Sequence, residues 1–416
     1  MTLAVMLVAC GDSGATDDGP DDSSTSADST GADPTGADPT GADSTSADST
    51  GADSTETGST GTPAEIDWSD VDARLESFIS DSPDYDGTSI VVVDRDAGII
   101  HQAAFGTYTL DTIVHLASTS KVPSSMVMMA VHEDPTLDFD IAATLETYLT
   151  WDGVWPGMTA EQLVSNTSGM PGLANFANYG AHLCAFDPTD TLLSCGQTIY
   201  ETPLDALPSN PPGTAFDYGG SQWQLAGALA EVVSGQSWAA LLDQYIAAPC
   251  GLEVFEYGNM GGGFEDWDGT PDTLVGRDNP VIEGGAISNL ADYATLLQIH
   301  LNEGRCGDTQ VLSPEAIEFM RIDRGSAVGS REFEFDDGPT GQGYGMGWWI
   351  VPRDESEPYL FIDPGLYGAV SWLDTDRGIG GLVLLSDYTL PYSGDGSAMV
   401  TDELIPLVEA AIDAAQ

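Results

Sequence analysis

Basic residues are almost missing from this chain. Ten Lys and Arg face 67 Asp and Glu across 416 residues, for a formal net charge of -57 at pH 7. No Lys/Arg cluster occurs anywhere, which excludes a nucleic-acid partner and electrostatic docking on anionic lipid. The acidity itself reads as solvation, of a kind suited to salty surroundings. Histidine is also sparse. His101, His115, His132, His182 and His300 are scattered without ligand-like neighbours, so neither a metal site nor a cofactor is expected. Long apolar runs are absent too: beyond the first residues, nothing approaches the ~20 apolar residues of a membrane span.

The most informative scarcity is of lysine. Nine of the ten basic residues are arginine, which leaves Lys121 alone, in Ala117-Ser118-Thr119-Ser120-Lys121-Val122-Pro123. An ammonium can lose its proton when desolvated and then act as a base; a guanidinium cannot. The bland alternative is an exposed lysine in a helix's first turn. The apolar stretch to Val131 has helical length, and Pro123 is tolerated only in a first turn, so a helix should start near Ser118. Residues three apart then share a face, and the Ser118 hydroxyl would meet the Lys121 amine. The positive helix end should push Lys121 toward its neutral form.

The remaining chain divides by composition. Residues 11–62 repeat Thr-Gly-Ala-Asp-Pro with nothing apolar to bury, and are expected to form a disordered acidic tether. Leu7-Val8-Ala9-Cys10 resembles a bacterial lipoprotein signal, which implies a lipidated Cys10 and an extracytoplasmic, envelope-bound or secreted protein. The resemblance departs in having no Lys or Arg before a short apolar run. Residues 63–416 then form the domain. Four cysteines remain there, and three pairings are open. Cys184 and Cys195 bracket a short Pro/Asp/Thr loop and are paired here, which leaves Cys250 with Cys306; buried free thiols are the alternative.

Strands are expected at Thr88–Asp94 and Ile99–Phe105, joined by a turn at Arg95–Gly98. Helices are expected near 159–166 and 221–234. Strands return at 343–352, 359–362, 369–374 and 380–386, with a final helix over 400–415. Strands at both ends with helices between them suggest an α+β fold: an antiparallel sheet flanked by helices, with an inserted all-helical lobe at about 136–280.

Several stretches, in order over about 65–415, together resemble the serine beta-lactamase and penicillin-binding-protein superfamily. The branch is that of class C beta-lactamases, D-alanyl-D-alanine carboxypeptidases and family VIII carboxylesterases. Ser118-Thr119-Ser120-Lys121 resembles the first motif. Leu137-Asp138-Phe139-Asp140 and Met158 to Gly172 resemble the block that follows it, and Pro212-Gly213-Thr214-Ala215-Phe216-Asp217-Tyr218-Gly219-Gly220 the second motif. Gly284-Gly285-Ala286-Ile287-Ser288 and Tyr344-Gly345-Met346-Gly347-Trp348 are further shared blocks. The resemblance implies a beta-lactamase/transpeptidase-like fold, with Ser118 as nucleophile and Lys121 and Tyr218 as its activating partners. It also implies an oxyanion hole from the backbone N–H groups of Ser118 and Leu366. No motif contains His and there is no Gly-x-Ser-x-Gly, which speaks against a Ser-His-Asp triad.

Two positions depart from the pattern. The second motif normally ends in Asn, where this chain has Gly220; Ser221 next to it is a weak substitute. The third motif normally carries a cation, where this chain has Asp363-Pro364-Gly365-Leu366-Tyr367-Gly368, similar to the cation-free motif of family VIII esterases. Asp363 would repel a substrate carboxylate. Gly220, Ser221, Asp363, Gly365 and Tyr367 are therefore the expected substrate-binding positions. The expected activity is ester or amide hydrolysis through an acyl-enzyme, with ester favoured, on a small-molecule or peptide substrate and by a monomer. The alternatives are a beta-lactamase or D-Ala-D-Ala carboxypeptidase, and a non-catalytic envelope binding protein of the same fold.

Overall fold

The computed structural model describes residues 65–82, 85–173, 180–203, 210–259, 261, 267–328, 343–353, 360–386 and 394–416. The tether and Cys10 lie outside them. Helix α1 (Ser69–Asp81) leads into strands β1 (Gly87–Asp94) and β2 (Gly98–Gly106). The expected hairpin is present, one residue longer at each outer end, with Gly98 at φ 78° in its turn. Strand β3 (Val114–His115) precedes a 3-10 turn (Ala117–Ser120), and α2 (Lys121–Glu133) follows without a break. The helix thus starts near Ser118 as expected, but its first turn is wound more tightly. Pro123 sits in the first turn of α2, where its missing N–H costs nothing.

Helices α3 (Ala160–Val164), α4 (Leu192–Glu201) and α5 (Ser221–Ser234) form most of the described lobe. A capping box at Thr159 and Gln162 starts α3 and satisfies its first backbone donors. Helix gives way to strand inside the span read as helical: β4 (Glu256–Tyr257) pairs with β5 (Ala286–Ser288), which also pairs with β3. That small sheet lies beside the turn that carries Ser118. Helix α6 (Leu290–Leu301) and α7 (Pro314–Arg321) lead back to the main sheet.

The C-terminal strands are β6 (Gly343–Tyr344), β7 (Trp349–Val351), β8 (Leu360–Pro364), β9 (Val370–Asp374) and β10 (Ile379–Leu384), before α8 (Ile405–Ala415). The single strand expected over 343–352 is a hairpin instead. Gly347, at φ 88°, turns the chain back, so Tyr344 pairs with Trp349. With β1 and β2 these strands form one seven-stranded antiparallel sheet in the order β2-β1-β10-β9-β8-β7-β6. The last strand of the chain pairs with the first, Ser89 opposite Leu384, which closes the domain.

Alternation along β1 sorts its side chains between two layers. Ile90 and Val92 pack with Val71, Leu75 and Phe78 of α1 and with Ile405 and Val408 of α8. Val91 and Val93 pack on the opposite face, with Met126 and Val127 of α2 and Leu297 of α6. Each large side chain fully buried in this way contributes about 1.5–3 kcal/mol. Disulfide Cys184–Cys195 braces the lobe and Cys250–Cys306 ties it to the segment after α6, with Cα separations of 5.4 and 5.6 Å. Both pairings agree with the sequence reading. Among the described residues no single helix is long and apolar enough to cross a membrane.

Candidate active site

Every residue from Val114 to Val131 is buried except Ser118, which is partly exposed. The preceding residue, Ala117, has φ 48°, a left-handed conformation that a non-glycine adopts only when its surroundings impose it. Those surroundings are specific. Tyr293 donates its hydroxyl to Thr119 O at 2.9 Å, and Tyr257 donates to Ser120 O at 2.8 Å. Thr119 Oγ1 lies 2.8 Å from Asp363 O and 3.0 Å from Ala369 O, spanning β8 and β9. The turn carrying Ser118 is therefore held by the sheet on one side and the lobe on the other.

Lys121 is fully buried, and its Nζ donates to Ser118 Oγ at 3.0 Å and to Glu283 O at 3.0 Å. The Glu283 carboxylate lies 3.6 Å away. The ammonium also faces the rings of Tyr218, 4.7 Å from the centroid, and Trp223, 5.9 Å away. The Tyr218 hydroxyl hydrogen-bonds to both Ser118 and Lys121, so the three groups close a ring.

Tyr218 reaches this place because its segment is laced to the chain at 166–173. Asp217 N–H donates to Asn166 O, and Leu173 N–H donates to Tyr218 O at 2.7 Å. Buried Asn166 Oδ1 accepts from Gln222 Nε2 and Trp223 Nε1 at the start of α5. The two bonds fix the orientation of the Asn166 amide, whose Nδ2 has no hydrogen-bond partner among the described residues.

Protonation in the ring follows from its charges. Burial pushes Lys121 down, but Tyr218, Glu283 and Asp363 outweigh it, and the ammonium is held above its ordinary range. The direction is opposite to the expectation that the helix end would push Lys121 toward its neutral form, with Tyr218 the largest favourable contributor and Glu283 and Asp363 after it. Burial pushes Tyr218 up, partly offset by Lys121, so it rests as a phenol.

The beta-lactamase family model matches residues 75–398. The chain belongs to the beta-lactamase family. Penicillin-binding protein 4 from Amycolatopsis lactamdurans is 24% identical over 328 residues, spanning 70% of this chain and 80% of that protein. EstCE1, a hydrolase with promiscuous acyltransferase activity, shares the fold at 18% identity, TM-score 0.64, over 81% of this chain and 98% of that one. So does the octameric penicillin-binding protein homologue from Pyrococcus abyssi, at 19% identity, TM-score 0.61, over 82% of this chain and 78% of that one.

The other expected positions of this beta-lactamase-family site fall into two groups. Gly365, Leu366 and Tyr367 occupy the turn between β8 and β9. A Cβ on Gly365 would sit 2.1 Å from Leu116 O, so only glycine lets the strand end press against the chain leading into the Ser118 turn. Leu366 and Tyr367 pack with Ala117 and Val281 beside Ser118.

Asp363 and Ser221 are placed differently from the sequence reading. Asp363 is fully buried beneath α2, with Oδ2 3.4 Å from the Val122 N–H. Its carboxyl is raised well above the usual range by burial, although Lys121 and that N–H pull it down. Asp363 is thus a support under α2, and not the exposed substrate-binding position expected from the sequence. Ser221 is fully buried, and its hydroxyl has no hydrogen-bond partner among the described residues.

Gly220 lies against Glu283, a residue that sequence reading missed. The one available signal was its position directly before the Gly284-Gly285 block. Asn166 and Trp223 were also missed as members of the site, although Asn166 lies within a block that was read.

Proposed function

We propose that this chain is a serine hydrolase that cleaves esters, and less readily amides, through a covalent acyl-enzyme on Ser118. The observation that carries the reading is the closed contact of Ser118, Lys121 and Tyr218 around a partly exposed hydroxyl. A serine hydroxyl is inert at its own pKa and needs an adjacent base. The resting ammonium and phenol together hold one proton too many for that task. The productive form has lost one proton from the pair, and it accepts the Ser118 proton as Oγ attacks the acyl carbon. The same pair then protonates the leaving oxygen or nitrogen. Backbone N–H groups of Ser118 and Leu366 are the proposed oxyanion donors. Because the titrating form is deprotonated, kcat/KM should rise with pH through the apparent value of the Lys121–Tyr218 pair.

Ester is favoured because the end of β8 carries no cation: its acid points under α2, and Glu283 adds negative charge beside Lys121. Among the described residues a substrate carboxylate would find no cation there. A second reading, beta-lactam or D-alanyl-D-alanine hydrolysis, is supported by the penicillin-binding relative. A fluorophosphonate probe should label Ser118, and short p-nitrophenyl esters should turn over faster than a chromogenic cephalosporin. Rapid cephalosporin turnover with negligible ester cleavage would reverse the order. A wild-type protein that is not labelled would instead support the non-catalytic binding role. We further propose that the domain works from a membrane through a lipidated Cys10. Radiolabelled palmitate should enter the full chain and be lost in Cys10→Ala.

A further inference from the structure

Gly220 begins α5 without a side chain. It is the N-cap of α5, where a side-chain oxygen would normally satisfy a backbone N–H, and it offers none. Its φ of -85° and ψ of -22° are open to any amino acid, so backbone freedom is not the reason for glycine. Space is. A Cβ built on Gly220 would lie 1.6 Å from Glu283 Oε1 and 1.8 Å from its Cδ. The carboxylate of Glu283 fills the volume that a side chain at 220 would occupy.

The loop bearing Glu283 is held on either side. Ile282 N–H donates to Gln224 Oε1 at 3.2 Å, and Ile282 O accepts from Ser124 Oγ at 2.7 Å. Gly285 N–H donates to Val281 O at 2.7 Å. Glu283 thereby presents two acceptors to one cation: its carbonyl at 3.0 Å and its carboxylate at 3.6 Å from Lys121 Nζ. Only 12% of its side chain is exposed, so water screens the attraction weakly.

We propose that Glu283 is the positioning residue for Lys121, holding its amine against Ser118, and that Gly220 lacks a side chain in order to admit the Glu283 carboxylate. The inference rests on the hydrolase reading for its catalytic consequence, but not for its geometry. The charged and titratable groups facing Lys121 are Tyr218 from the segment before α5, Glu283 from the loop before β5 and Asp363 from β8. Of these, Asp363 is fully buried, whereas the Glu283 side chain is partly exposed.

The single lysine makes the test direct. Full-length protein labelled with 13Cε-lysine gives one side-chain resonance, whose titration midpoint reports Lys121 alone. Glu283→Gln keeps the shape and removes the charge, and should lower that midpoint by about one pH unit. The Lys121-linked limb of the fluorophosphonate rate-versus-pH profile should move the same way. Gly220→Asn should slow labelling of Ser118 by roughly tenfold or more by displacing the carboxylate. Adding Glu283→Ala to Gly220→Asn should recover most of that loss, since an amide can then occupy the vacated place. An unchanged lysine midpoint in Glu283→Gln, or a double variant no better than Gly220→Asn alone, overturns the proposal. Absence of labelling in the wild type would overturn the hydrolase reading instead, and the lysine titration would still decide this one.

Discussion

At the scale of single residues, Lys121 and Tyr218 divide one task, and substitutions separate them. Lys121→Arg keeps the charge between the Tyr218 and Trp223 rings but removes a group able to give up its proton. Labelling of Ser118 should fall by about 10²–10⁴-fold. Tyr218→Phe keeps the ring under the ammonium and removes only the hydroxyl, so it should lose activity over a similar range and also lower the lysine midpoint, since Tyr218 helps to hold Lys121 up. A Lys121→Arg protein that is still fully active would sink the proposed mechanism. These residues were legible in the sequence because each is a positive signal: a lone lysine, a serine three residues before it, a tyrosine after Pro-Gly-Thr. Glu283 was not, because its place is marked by something missing, the side chain of Gly220. Asp363 was legible as a lost cation but not as a buried support, since sequence shows charge and not which way a strand residue points.

At the scale of elements, the nucleophile turn is a joint between β8, β9 and α2, and Thr119 is its pin. Thr119→Val preserves shape and branching and removes the hydroxyl that reaches Asp363 O and Ala369 O. Leaving buried carbonyls short of a donor costs about 1–3 kcal/mol. Urea denaturation should show that loss. Fluorophosphonate labelling at full folding should fall further, by roughly ten- to a hundredfold, because small misplacements of a nucleophile are amplified in rate. A variant that loses stability but labels at the wild-type rate would show that the turn is positioned by Tyr257 and Tyr293 instead. The strands were readable from their apolar runs and the long α5 from its length. The tight winding of residues 117–120 was not, because Ser-x-x-Lys spacing suits a 3-10 and an α turn alike. Nor was the hairpin within 343–352, which depends on the positive φ of Gly347.

At the scale of the whole molecule, the dominant fact is charge, and only 12 of the 67 acidic residues precede Glu65. The folded part must therefore tolerate strong self-repulsion, which salt relieves. Acid ought to relieve it too, but buried histidines oppose that. His115 and His182 are pushed down to about 4, and His300 well below its ordinary value, in each case chiefly by burial. Their folded values lie below the unfolded one, so the stability they contribute is present above about pH 6.5 and is lost as pH falls toward 4. For His115 and His182 this is on the order of 3 kcal/mol each. Asp363 has the opposite sign: its raised value means that its burial costs stability as pH climbs out of the ordinary aspartate range. Glu231 and Glu256, whose carboxyls burial also raises, share the sign of Asp363, so the histidine contribution is best read at one site. His300 isolates the effect, because neither ring nitrogen has a hydrogen-bond partner among the described residues and its ring already packs edge-on against Trp348. His300→Phe should match or exceed wild-type stability at pH 7. At constant ionic strength its melting temperature should drop less than that of the wild type between pH 7 and pH 5, since repulsion and the other carboxylates are common to both proteins. Equal drops in the two would mean that His300 is not buried as a neutral ring, and the acid sensitivity would then have to come from elsewhere in the charge distribution.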